Sequence, residues 1–155
     1  MATEARTRQA MRATREMVGI TLEALARSIV SPKTGKSLGV DTVTDIERRD
    51  VSYAISGATQ AVWAKLKELK AKQDEMIAFA LDRYDIMCDA LPEDETPVVE
   101  LRYWTSEAEY LENSTDAALD VAGDWRMANA NNRRLAAILE AEGAIVRWTG
   151  TPIPR

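Results

Sequence analysis

The chemistry open to this 155-residue sequence is bounded first by what is missing. There is no histidine, which removes the commonest general base, the Ser-His and Cys-His nucleophile pairs and every histidine-ligated metal site. Cys88 is the single cysteine, so neither an internal disulfide nor a cysteine-cluster zinc site can form. Carboxylates are plentiful but fall into no spaced metal motif. Ser31-Pro32-Lys33-Thr34-Gly35-Lys36-Ser37 contains a Gly-Lys-Ser triplet, without the upstream glycine of a phosphate loop and without a strand before it. Neither an enzyme nor a cofactor or metal protein is expected. The side chains that remain suit recognition. Thr42, Thr44 and Asp45 offer short hydrogen-bonding groups, and Arg48 and Arg49 offer charges at phosphate reach.

Those residues need elements to hold them. From Arg6 to Val18 helix formers predominate, with Met11, Thr14 and Val18 on one side and Gly19 as a stop. Thr21 can cap a second helix in which Leu22, Leu25, Ala26 and Ile29 have the spacing of a buried stripe. The Pro- and Gly-bearing segment 31–37 reads as a loop, and a third helix near Asp41–Arg49 turns Val43 and Ile46 inward. From Gly57 to Leu91 no proline and no further glycine intervenes, and Val62, Leu66, Leu69, Met76, Ala80, Tyr84, Met87 and Leu91 recur at helical spacing. That stripe is too long for a small N-terminal bundle to cover, so part of it is expected to meet the C-terminal segment or a second copy.

An acidic, proline-bracketed linker, Leu91–Pro97, precedes an alternating strand over Val98–Trp104. Ser106 and Glu109 form a capping-box pattern for a short helix through Leu111. Trp125, Ala128, Leu135, Ile138 and Leu139 mark a further helix ending at Gly143, and Ala144–Thr149 reads as a last short strand. The expected fold is mainly α: a helix-turn-helix bundle over 1–57 with an insertion at 31–37, a long connecting helix over 58–91, and a small α+β dimerisation domain over 92–155. Cys88 reads as a small buried hydrophobe, and Lys65, Lys67, Lys70 and Lys72 as surface charge. Asn129, Asn131 and Asn132, with Arg133 and Arg134, read as a solvated helix face, a polar subunit interface or an RNA contact.

Charge is divided unevenly. Residues 1–36 hold seven basic and three acidic side chains, net +4, whereas residues 82–124 hold two basic and thirteen acidic, net −11. Phosphate is attracted by the first and repelled by the second, so nucleic acid is expected at the N-terminal end. No apolar run reaches the length of a spanning helix, and the start MATEARTRQAMR lacks the apolar core of a signal peptide, which implies a cytoplasmic protein without membrane contact.

Gly19-Ile20-Thr21-Leu22-Glu23-Ala24-Leu25-Ala26, followed by Thr42-Val43-Thr44-Asp45-Ile46-Glu47-Arg48-Arg49, resembles the helix-turn-helix of the xenobiotic-response-element and Cro/repressor family. The resemblance implies that the second and third helices bind double-stranded DNA, the third in the major groove. Leu22 stands where that family often has a glutamine on the DNA backbone. The segment between the half-motifs is longer than the family pattern by about seven residues, around Val30–Lys36. Candidate DNA contacts are Thr21, Lys33, Lys36, Ser37, Asp41, Thr42, Thr44, Asp45, Arg48 and Arg49. Asp41 and Asp45 either accept from cytosine N4 or serve as a helix cap and a partner of Arg48 or Arg49.

Leu101-Arg102-Tyr103-Trp104, Glu109-Tyr110-Leu111, Asp124-Trp125-Arg126 and Leu135-Ala136-Ala137-Ile138-Leu139, with Gln9-Ala10-Met11-Arg12 at the front, resemble a small family of two-domain regulators. It includes anti-CRISPR-associated regulators of phage and mobile elements. This resemblance implies a homodimer joined through the C-terminal domain. The candidate dimer contacts are Met76, Tyr84, Met87, Leu91, Tyr103, Trp104, Trp125 and Leu135. The functional expectation is a transcriptional repressor that occupies an inverted-repeat operator. The competing expectation is an antitoxin-like module whose acidic body holds a protein partner while its helix-turn-helix autoregulates.

Overall fold

The computed structural model describes residues 7–48, 57–114 and 124–150. Among them six helices and two strands follow one another: α1 (Arg8–Val18), α2 (Leu22–Arg27), α3 (Val40–Arg48), α4 (Gly57–Asp89), β1 (Val98–Arg102), α5 (Glu107–Asn113), α6 (Trp125–Ala141) and β2 (Ile145–Thr149). The chain is mainly helical and carries one small sheet. It divides into two compact units, Met1–Lys72 and Gln73–Arg155, so that α4 contributes to both.

Local chemistry sets the ends of the first elements. The Thr7 hydroxyl accepts from the Ala10 N–H at 3.0 Å, which starts α1 at Arg8 rather than at the expected Arg6. Gly19 takes the left-handed conformation, φ 83°, and its N–H donates to the Arg15 carbonyl at 2.9 Å. Thr21 then accepts from the Ala24 N–H at 3.2 Å and opens α2. α3 packs on both α1 and α2. The buried side chains of this unit include Met11, Val18, Ile20, Leu25, Ala26, Ile29, Leu38 and Val43, joined by Val62, Trp63 and Leu66 from the first half of α4. Trp63 was absent from the expected stripe.

The insertion is ordered as a small hairpin. Val30 and Ser37 form an antiparallel bridge, the Ser31 N–H donates to the Lys36 carbonyl at 2.8 Å, and the Leu38 N–H donates to the Ile29 carbonyl at 2.9 Å. Gly35 has φ +68°, which lets the chain reverse. Ile29 and Leu38, both buried, anchor the base.

In the second unit β1 and β2 pair in parallel, from Val98↔Ile145 to Arg102↔Thr149. A parallel pair requires a crossover, and the intervening chain with α5 and α6 provides it. Ser106 caps α5 by accepting from the Glu109 N–H at 3.2 Å, while the Glu109 carboxylate reaches back to the Thr105 N–H and hydroxyl. α6 packs on both strands. The main core joins Ile77 and Tyr84 of α4, Leu101 of β1, Leu135, Ala136 and Leu139 of α6, and Ala144. The half-buried Ala80, Leu81, Met87, Cys88 and Val99 pack against it. A second cluster joins Trp104, Tyr110 and Ala128, with Met76 and Trp125 against them.

Candidate nucleic-acid interface

The interface is assembled from the α1–α2 turn outward. Thr21 spends its hydroxyl on the Ala24 N–H, so its own side chain is a cap, and any phosphate there would meet the remaining N–H groups of α2. α3 is then fixed from behind. The Arg15 guanidinium donates from Nε to Glu47 Oε1 at 2.5 Å and from a second nitrogen to Oε2 at 3.2 Å, and it also donates to the Ile20 carbonyl at 3.3 Å. The Arg15 and Glu47 side chains are only 14% and 8% exposed. One residue of α1 thereby ties the last turn of α3 to the turn that precedes α2. The sequence motif contains Glu47 but gives no sign of Arg15 as its partner.

With Val43 buried and Glu47 held inward, the opposite side of α3 faces out. Asp41, Asp45 and Arg48 are exposed, Thr42 is exposed on one flank, and Thr44 is half-buried on the other. Thr44 therefore presents less surface than its expected outward position implies, and Ile46 is half-buried rather than fully inward. Asp41 does not cap α3: the helix starts at Val40, Gly39 precedes it, and Asp41 sits in the first turn, where a carboxylate still favours the helix dipole. Arg49 lies outside the described residues.

The hairpin carries Lys33 and Lys36, both exposed. Ser37 donates its hydroxyl to the Arg27 carbonyl at 3.2 Å, an anchoring bond that ties the hairpin to the end of α2. Arg27 is itself exposed in the last turn of α2 and adds a cation that lies outside the Gly19–Ala26 motif. Its signal was present in the sequence as a lone charge one position beyond the Leu-Ala pair. On α1, Arg12 donates to the Glu16 carboxylate at 2.8 Å. That hydrogen bond, and then the paired charges, hold Glu16 below its ordinary value and raise Arg12.

The residues expected at a dimer surface are distributed otherwise. Tyr84, Trp104 and Leu135 are buried within the chain's own clusters, and Met76, Met87 and Trp125 are half-buried against them. Of the long stripe, Val62 and Leu66 are buried in the N-terminal unit, Ala80, Tyr84 and Met87 pack with Leu101 of β1 and Leu135, Ala136 and Leu139 of α6, and Met76 packs against the Trp104 cluster. Leu91 is half-buried, and Tyr103 is exposed, with its ring edge-on to Trp148 at 5.6 Å and its hydroxyl accepting from Arg133 at 3.0 Å. The asparagines of α6 are not a solvated face. Asn129 accepts from the Trp104 N–H and donates to the Trp104 carbonyl, both at 2.8 Å, and Asn132 donates to the Arg102 carbonyl at 2.7 Å. Asn131 accepts from Gln73 at 2.9 Å, and Arg134 donates to Gln73 and pairs with Asp74. These amides satisfy backbone groups at and just past the end of β1 and fasten α6 to α4.

Among the described residues no helix is long and apolar enough to cross a membrane. The chain matches no protein-family model, no curated protein and no solved structure.

Proposed function

We propose that the chain is a dimeric, sequence-specific DNA-binding regulator of transcription, acting as a repressor by occupying an operator of its own or a neighbouring operon. The observation that carries this reading is α3, clamped from behind through Glu47 and presenting Asp41, Asp45 and Arg48 outward, beside a capped α2. A rigid exposed helix with short polar side chains suits the major groove. Its two carboxylates suit base discrimination, since Asp accepts from cytosine N4 and repels phosphate. Among the described residues the exposed cations this face offers to phosphate are Arg27, Lys33, Lys36 and Arg48, which by themselves give a salt slope of roughly −3 to −4 per protomer.

Selection from a randomised duplex pool tests the reading. The expected product is an inverted repeat with half-sites about one helical turn apart. A pool that remains random after successive rounds removes the DNA-binding reading. A second reading, an antitoxin-like protein-binding module, is favoured by the exposed Val98, Tyr103, Ile145 and Trp148 on the unit that contains the acidic segment. Stoichiometric co-purification of a basic protein, together with a random DNA pool, would put that reading first.

A further inference from the structure

The hairpin that joins α2 to α3 carries the charge opposite to that of the helix it precedes. From Ala24 to Val40 the chain holds three cations, Arg27, Lys33 and Lys36, and no acid, in a protein of net charge −5. All three are exposed, and none is in an ion pair among the described residues. The outward side of α3 is the reverse: two acids, Asp41 and Asp45, stand against one cation, Arg48, a net −1 among the described residues, because Glu47 is held by Arg15. On its own that side is repelled by phosphate. The hairpin is also fixed in place. Besides the Val30↔Ser37 bridge, the Gly35 N–H donates to the Ser31 carbonyl at 2.9 Å, and the Ser37 hydroxyl holds the Arg27 carbonyl. Its base at the buried Leu38 lies two residues before Val40, so it adjoins the end of the helix that meets base edges in a helix-turn-helix.

We propose that this hairpin is a phosphate clamp: Lys33 and Lys36, with Arg27 at the base, hold the DNA backbone beside the half-site and seat a recognition helix that is itself acidic. The inference rests on the DNA-binding reading and adds a division of labour to it. Phosphate is the same on every sequence, so the hairpin supplies the larger share of the sequence-independent attraction. Asp41 and Asp45 oppose that attraction everywhere except where a cytosine N4 amine meets them, so α3 supplies discrimination. Three of the four exposed cations on this face belong to the hairpin and its base, and Arg48 alone balances only one of the two carboxylates. Without the hairpin the helix has no net attraction to hold it at the groove while sequences are compared.

Salt titrations of the full chain with a scrambled duplex and with the duplex selected from the random pool decide it, for wild type, Lys33→Ala/Lys36→Ala and Lys33→Arg/Lys36→Arg. Both lysines are exposed, and circular dichroism checks that each variant folds. The alanine pair should lower the salt slope by about 2 on both duplexes, so that its affinity falls about tenfold less than that of wild type between about 50 and about 200 mM salt. The arginine pair should keep the wild-type slope, and neither pair should change the ratio of selected to scrambled affinity. Neutral methylphosphonate linkages, placed one at a time in the selected duplex, then locate the contact: those that weaken wild type beside the half-site should leave the alanine pair unaffected. A wild-type slope in the alanine pair would overturn the clamp and leave α3 as the reader. Losses from linkage and lysine substitutions that simply add at every linkage would overturn direct contact. A wild-type chain that binds neither duplex at low salt would overturn the clamp and the DNA-binding reading together. A pool that stays random, with lysine-dependent binding of the scrambled duplex, would remove sequence specificity and leave the clamp standing.

Discussion

The Arg15 guanidinium and the Glu47 carboxylate, 32 positions apart in sequence, meet through two parallel hydrogen bonds in a site largely closed to water. Removing one partner leaves the other's charge confined without a counter-charge, which costs more than the pair itself is worth. Glu47→Ala is therefore expected to lower the stability of the N-terminal unit by about 3 kcal/mol. Arg15→Met combined with Glu47→Leu, which removes both charges, should cost clearly less. Denaturant unfolding followed by far-ultraviolet circular dichroism distinguishes the two cases. Equal losses in the two variants would show that packing, rather than the confined charge, sets the cost.

Substitutions on the outer side of α3 should fall into two classes. On the DNA-binding reading, Arg48→Ala on α3 and Lys36→Ala on the hairpin should weaken binding to all duplexes alike, each lowering the salt slope by about 1. Asp45→Ala should reduce the preference for the selected operator by about 1–3 kcal/mol if a cytosine contact is lost. An aspartate that only repels phosphate would, on removal, tighten binding to every sequence. Titrations with operator and scrambled duplexes at two salt concentrations separate these outcomes. An unchanged ratio for Asp45→Ala removes that residue from base readout.

Asn129 is 2% exposed and satisfies both backbone groups of Trp104 with one side-chain amide. In Asn129→Ala the Trp104 N–H and carbonyl lose their partners together, at about 1–3 kcal/mol for each buried group left unpaired. Asn129→Asp keeps an acceptor for the N–H, loses the donor and buries a charge, so it should not recover the wild-type urea midpoint. A midpoint for Asn129→Ala equal to wild type would mean that water replaces the amide.

Tyr84 gives a pH dependence on the alkaline side. Hydrogen bonding to Cys88 first, burial second, and then the charges of Cys88, Glu142 and Asp85 push its hydroxyl up to about 12 from 10.0. The folded chain thus keeps the phenol proton at pH values where the unfolded chain has lost it. The resulting contribution to stability is complete below about pH 10 and is lost as pH rises from there through about 12. Tyr84→Phe should flatten that alkaline decline and leave the neutral-to-acid limb unchanged. Unfolding midpoints from pH 8 to 12 provide the measurement. An unchanged alkaline limb would assign the decline to other groups.

What the sequence by itself determined is local. Thr7, Gly19, Thr21, Ser106 and Gly143 act within about four residues of where they stand, so element ends could be read from spacing alone, to within a residue or two. The mainly helical class, the long α4 and the short strands followed from the same local periodicity. The hairpin at 31–37 was legible only as a break, because Gly35 marks a reversal without naming the Val30↔Ser37 bridge that closes it. Tertiary structure alone decided the polar partners. Asn129, Asn131 and Asn132 read as a solvated face because hydropathy scores an amide by its cost in an apolar surrounding. It does not score the Trp104, Gln73 and Arg102 groups that remove that cost. Tyr84 and Leu135 read as a surface for a second copy because a helical stripe shows that a face must be covered, not by what. α6 and β1 cover it from within the chain, leaving Phe79 and Ile86 on the outside. Arg15 and Glu47 belong to the same class: a bond between distant residues exists only once the backbone has brought them together, and no spacing along the chain encodes it.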